Sequence, residues 1–325
     1  MLVGESIGLK EGKATRVAFG ETLVELGHED PALVVVDGDL NNSTRTDLFK
    51  KAHPDRFFNV GIAESNLVGV AGGLASCGKK PWIASFAAFL LCNAFDQVRM
   101  SIAFPQMNVK LVGSHGGISI GEDGPSQMGI EDFALASALP GFTVVVPADE
   151  PSTRALVRQL HAHNGPGYMR TGRPNVPIVY ANDAPVRLGK AHELRNGDDV
   201  TLVACGLMVA AALEAAALLE REGLSARVLD VHTLKPLDEE TIERAARETG
   251  RVVVAEEHLC YGGLGSIVAA ALARRWPVPM RFVNLKDTYA ESGKPRDVLV
   301  KYGLTAEDIV AAAHQLIPKP ILSPA

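Results

Sequence analysis

Cysteine is scarce and never closely paired. The 325-residue chain holds four, Cys77, Cys92, Cys205 and Cys260, with no two at CxxC spacing. That spacing excludes a zinc knuckle or a CxxC redox pair. A chain with this much core material has no need of a disulfide framework, so reduced thiols in a cytoplasmic protein are expected. Long apolar runs are also missing. The stretch Pro81 to Leu91 holds Ser85 and falls well short of the roughly 20 residues that span a bilayer. The N-terminal MLVGESIGLKEGKATR has no apolar segment of the secretory kind. Basic excess is absent too: the formal net charge is −6. This argues against a nucleic-acid partner, which needs a basic face, but leaves room for a small anion in a local basic pocket.

What is present is ordinary globular material, 47% hydrophobic and 22% charged, in a length that suggests two domains. Strand-like runs at 32–36, 81–85, 109–112 and 142–146 alternate with helical patterns at 15–27, 65–76, 87–104, 130–139 and 150–164. The repeated order predicts a doubly wound α/β domain with a parallel sheet. The pattern lapses between Gly172 and Pro185, where Pro174, Pro177 and Pro185 sit among Asn175, Asn182 and Asp183, a linker composition. It resumes with strands at 200–204, 226–231, 251–255 and 280–285 and helices at 208–222, 239–249, 264–273 and 305–316. Two α/β domains are therefore expected, over residues 1–183 and 184–325.

The unusual polar residues cluster in the first domain, at strand ends, where open α/β sheets bind ligands. Asp39 and Ser43 follow the first strand, and Glu64 opens a helix after Asn59-Val-Gly-Ile-Ala. His115 lies in Gly113-Ser-His-Gly-Gly, continued by Gly121-Glu-Asp-Gly-Pro-Ser-Gln127, while Arg170 and Arg173 follow the run around Tyr168. Singly, each has a bland reading: Gly, Asp and Pro form turns, and Glu64 could simply favour a helix start. The set in order, at matching strand ends, favours function. In the second domain, Tyr261-Gly-Gly-Leu-Gly lacks the full GxGxxG pattern, so close helix–strand packing is the better reading. His232 and His258 read as structural.

The same loops resemble transketolase. The matching stretches are Asp37-Gly-Asp-Leu-Asn-Asn-Ser43, His53-Pro-Asp-Arg-Phe57, Gly61-Ile-Ala-Glu-Ser-Asn66, Ser85-Phe-Ala-Ala-Phe89, Ala94-Phe-Asp-Gln-Val-Arg-Met100, the loops 113–117 and 121–127, Arg170-Thr-Gly-Arg-Pro174, Tyr261-Gly-Gly-Leu-Gly265 and Ser292-Gly-Lys-Pro295. The resemblance covers only the C-terminal half of a full-length transketolase, the pyrimidine-binding and C-terminal domains. The family's GDG…NN metal motif belongs to the other half. The Gly38-Asp and Asn41-Asn steps here are too close together for it and read as a strand-end turn. The resemblance thus implies the C-terminal subunit of a split transketolase, moving a two-carbon ketol unit between sugar phosphates of the pentose phosphate type.

Thiamine diphosphate is the implied cofactor, shared with an N-terminal subunit that holds the diphosphate and its Mg²⁺ or Ca²⁺. The implied assembly is a heterotetramer with homodimer contacts through 65–76 and 87–104. Implied cofactor-binding residues are Asp39, Glu64, Phe86, Phe89 and Gln127, with Glu64 on N1′ of the aminopyrimidine and Phe89 stacked on its ring. Arg16, Ser43, His115 and Arg173 are implied to grip phosphate and Asp123 a sugar hydroxyl, with Glu64 and His115 as the catalytic pair. At position 127 many microbial members carry His; Gln127 matches the animal type and cannot serve as an acid at neutral pH. Two other readings compete. One is the β subunit of a thiamine-dependent 2-oxoacid dehydrogenase. The other is a non-catalytic scaffold, which has no physical need for Glu64, Phe89, His115, Asp123 and Arg173 together.

Overall fold

β-Branched runs set the strands. In the computed structural model, which describes residues 3–317, Leu33–Asp37 (β1) is buried along its whole length, as befits a strand covered on both faces. It shares a seven-stranded sheet with Phe57–Asn59 (β2), Lys80–Phe86 (β3), Lys110–Ser114 (β4), Thr143–Val145 (β5), Gly167–Arg170 (β6) and Thr233–Lys235 (β10). The spatial order is β10-β5-β6-β4-β3-β1-β2. A five-stranded sheet joins His192–Arg195 (β7), Val200–Ala204 (β8), Ala226–Asp230 (β9), Val252–Ala255 (β11) and Met280–Val283 (β12), in the order β12-β11-β8-β9-β7. Pairing is parallel except at one edge of each sheet, where β10 meets β5 and β7 meets β9 antiparallel. The architecture is two α/β units with mostly parallel sheets.

Helices cover both sheets. Thr15–Glu29 packs Phe19 against Trp82 of β3, ring centroids 5.8 Å apart. Glu150–Ala162 begins in a capping box, the Asp149 carboxylate accepting from the Ser152 N–H at 3.0 Å, which satisfies a donor that a helix start leaves open. The single helix expected over 87–104 is broken. Ala88–Asn93 and Val98–Ala103 have π geometry and flank Phe95–Gln97, with Ala94 at φ −112° and ψ 17°. Apolar spacing over 18 residues cannot reveal such widened turns, which often occur near functional sites. No helix among the described residues is long and apolar enough to cross a membrane.

The Pro-rich stretch after β6 is held in place. The Gly12 N–H donates to Val176 O and the Ile178 N–H to Lys10 O, both at 2.8 Å. Buried Asp149 accepts from the N–H groups of Val179 and Tyr180 at 2.8 Å. The Tyr180 hydroxyl then donates to Asp230 at the end of β9. With β10 reaching back to β5, the two sheets are tied together on more than one side.

Candidate functional site

The strand order reverses direction at β1, which has β2 on one side and β3 on the other. Such a switch point opens a crevice at the carboxyl ends of the strands. Glu64 stands there as the first residue of helix Glu64–Ser76 and is only 6% exposed. Its Oε1 accepts from the Ser85 hydroxyl at 2.8 Å. Gly38, just after β1, lies against the same pair: a Cβ at this position would sit 3.7 Å from Glu64 Oε1.

A stack of flat rings forms the adjacent wall. Phe86 lies 5.5 Å from Phe89 at 17°, and 3.9 Å from His115 at 27°. His115 has a left-handed backbone, φ +61°, and its Nδ1 is 2.7 Å from the Ser114 hydroxyl. Burial, followed by the charges of Arg16 and Arg173, lowers its pKa to about 3. The free chain therefore holds a neutral imidazole at neutral pH. Its NMR resonances should stay those of the neutral ring from pH 8 down to about pH 5, and a titration near the ordinary value of 6.5 would contradict the burial described here. An unfolded chain takes up this proton first, so His115 makes folding less favourable as pH falls from 6.5 towards 3.

Beside the rings is a cluster of cations. Arg16 donates from Nη1 to Ser43 O at 2.7 Å and from Nε to Arg173 O at 3.3 Å. Burial and then the repulsion of Arg173 and Arg45 lower its pKa. Arg173 donates to Ile120 O at 2.6 Å and to the exposed Glu122 at 2.8 Å. Arg16, Ser119, Glu122, Arg173, Pro174 and Pro295 line a pocket here. Cations held close together next to a neutral imidazole are chemically suited to an anion with several oxygens.

The remaining expected residues lie at the rim. Asp39 is exposed, with φ +68°, and accepts from Asn59 at 2.7 Å. Asp123 is exposed on the loop after Gly121, and half-buried Gln127 accepts from the Ser126 hydroxyl at 2.6 Å. Gly121 (φ +79°) and Gly124 (φ +80°) let this loop press against Ser292 and Pro295 of the second unit. The sequence did not single out Asp37. Buried at the end of β1, it accepts from the Leu40 N–H at 2.7 Å and from the Thr44 and Thr46 hydroxyls at 2.9 and 2.8 Å, holding the turn that carries Ser43. The two threonines shortly after a strand-end acid were the available signal.

Arg170 differs from its neighbour Arg173. It is buried and donates to Asp132 through both Nε and Nη2, to Gly129 O at 3.1 Å and to Glu257 O at 2.8 Å. Its guanidinium carbon also lies 3.5 Å from the centre of the Phe133 ring. Arg170, which the sequence places beside Arg173 at the same strand end, is thus committed to the interior. The helix start after Tyr261-Gly-Gly is occupied as well, since Glu256 accepts from the N–H groups of Leu264 and Gly265 at 2.6 and 2.8 Å.

Residues 11–179 match the family described as transketolase, pyrimidine binding domain, and residues 189–309 match transketolase, C-terminal domain. The 6-deoxy-6-sulfo-D-fructose transketolase subunit SqwH of Clostridium sp. (strain MSTE9) is 44% identical over 93% of this chain and 94% of its own. The transketolase of Homo sapiens is 40% identical over 94% of this chain but only 49% of its own length. A solved structure described as a split gene transketolase, inactive beta4 tetramer, has a TM-score of 0.86 at 48% identity, covering 94% of this chain and 98% of that one.

Proposed function

The chain belongs to the transketolase family, and from that premise we propose that it is the C-terminal subunit of a two-subunit transketolase, contributing the pyrimidine side of a thiamine-diphosphate site. The observation that carries this reading is Glu64, a buried carboxylate hydrogen-bonded to Ser85 beside the Phe86–Phe89 wall. A flat aminopyrimidine, with apolar ring faces and basic nitrogens on its edge, matches that chemistry. When bound, the cofactor supplies a thiazolium that stabilises carbanion character. Glu64 would hold a proton at pyrimidine N1′, Phe86 and Phe89 would exclude water from the ring face, and Gln127 would hydrogen-bond the donor sugar. The diphosphate and its Mg²⁺ or Ca²⁺ are assigned to an N-terminal subunit. That division accords with the chain's 49% share of the human enzyme.

On the substrate side, Arg16 and Arg173 bind the terminal anion, with Ser43 holding Arg16 through its carbonyl. Neutral His115 can donate or accept one hydrogen bond to the sugar, and Asp123 accepts from a sugar hydroxyl. Xylulose 5-phosphate and ribose 5-phosphate are the proposed pair. A sulfonate sugar, like that named for the Clostridium relative, is the competitor to assay beside them. Exposed Ile62 (83%), Met100 (48%) and Phe104 (80%) lie on or beside the segments expected to join two copies of this chain and support that contact; with one N-terminal subunit for each copy, the proposed assembly is a heterotetramer.

The test is titration of thiamine diphosphate with Mg²⁺ into this chain, with and without a candidate N-terminal subunit, followed by a ketol-transfer assay. Tight binding and transfer are expected only in the mixture. If the chain alone binds the cofactor tightly and turns over sugar phosphate, the proposed division is wrong. Activity on pyruvate with a lipoyl acceptor, and none on a ketose phosphate, would make it a 2-oxoacid dehydrogenase subunit instead.

A further inference from the structure

The second unit reaches the loop that carries His115 through one acidic side chain. After β11 the chain continues as Glu256-Glu257-His258, and the two acids diverge. Glu256 caps its own helix start. Glu257 instead points across the boundary between the two units, where its Oε1 accepts from the Ser119 N–H at 2.9 Å. The Ile118 N–H and the Ser119 hydroxyl also act on this carboxyl, which is buried. Glu257 O accepts from Arg170, and the Arg170 side chain lies directly under Gly116. A Cβ at Gly116 would sit 2.5 Å from the Arg170 side chain, and one at Gly117 2.6 Å from Glu257 Oε1. The loop backbone therefore rests on these two side chains with no space between.

This loop borders the proposed substrate pocket. His115 is at its start, Ser119 lines the pocket, and Ile120 O receives the Arg173 guanidinium. His115 and Gly117 both have left-handed backbones, so the loop needs fixed partners to keep its path. Besides the Arg173 bond to Ile120 O, its own unit supplies the bonds from the Gly116 N–H to Thr171 O and from the Gly117 N–H to Gly129 O. For the 118–119 backbone the grip comes from Glu257.

We propose that Glu257 is a positioning residue for substrate recognition: by gripping the 118–119 backbone from the second unit, it sets His115 and Arg173 at the spacing an anionic sugar requires. This rests on the reading of the pocket given above. It also gives the second unit a part in affinity, where sequence alone assigned it none.

The variant Glu257→Gln keeps an acceptor and the side-chain shape but loses the charge. In the assembled two-subunit complex, KM for the sugar phosphate is expected to rise about tenfold, the scale of one charge-assisted hydrogen bond, with kcat changed less than about twofold. Amide exchange at Ile118 and Ser119 should quicken about tenfold in the chain itself. Against a His115→Ala background the KM effect should shrink to the part carried by Arg173, because Glu257 acts on the substrate through both side chains. Unchanged KM with unchanged exchange would overturn the proposal. So would equal penalties in both backgrounds, the mark of a general loss of structure. If the wild-type complex transfers no ketol unit, the functional reading fails, and the exchange measurement still decides whether Glu257 holds the loop.

Discussion

Replacing Glu64 with Gln is expected to lower turnover of the assembled complex by about 10²-fold or more, the range of general acid–base effects. The amide has nearly the same shape, and its oxygen can still accept from the Ser85 hydroxyl, a bond of 2.8 Å in the native chain. Folding and cofactor affinity should therefore change little. What is lost is the ability to share a proton with a ring nitrogen. Steady-state turnover at saturating cofactor separates the two effects, because added thiamine diphosphate corrects a loss of affinity but not a loss of proton exchange. Near-normal turnover of the variant would remove Glu64 from the chemistry and leave it as a helix-start carboxylate.

The central strands and the helices between them were legible because burial on both faces demands runs such as Leu-Val-Val-Val at 33–36. The short edges were not. β7 is the half-exposed His-Glu-Leu-Arg, and β10 is three residues whose partner, β5, lies almost ninety positions earlier. Nothing in a local pattern announces such a pairing. The site follows the same division. Strand ends picked out Glu64, His115 and the 121–127 loop, since the topology that gathers them follows from strand order. Local sequence could not separate Arg170 from Arg173, because what distinguishes them is Asp132, 38 positions away, and Glu257, 87 positions away. The same is true of Glu257 itself, whose neighbour Glu256 has an identical side chain and a purely local task.

Those two arginines should respond oppositely to truncation. Arg170→Met is expected to cost about 3–5 kcal/mol of stability, the scale for breaking a buried ion pair by removing one partner. Burial alone would push the Asp132 carboxyl up, but Arg170, then His258 and the Tyr168 hydroxyl, hold it below its ordinary value. Without Arg170 that acid is left in the core with the influence of His258 and the Tyr168 bond. Because the Asp132 carboxyl is depressed in the folded chain, the native pair contributes fully above the ordinary value of 3.8 and fades as pH falls below it. The gap between variant and wild type should therefore narrow in acid. Removing both charges together, as in Arg170→Met with Asp132→Leu, should recover part of the loss, since an apolar pair of similar volume often replaces a buried ion pair at little cost. Arg173→Met, by contrast, removes a half-exposed side chain bonded to exposed Glu122. It should shift stability by less than about 1 kcal/mol while raising KM for anionic sugars. Denaturant midpoints for the three variants, set beside the kinetics of Arg173→Met, decide the matter. If Arg170→Met unfolds at the wild-type midpoint, the buried pair is not what joins the loop to the interior.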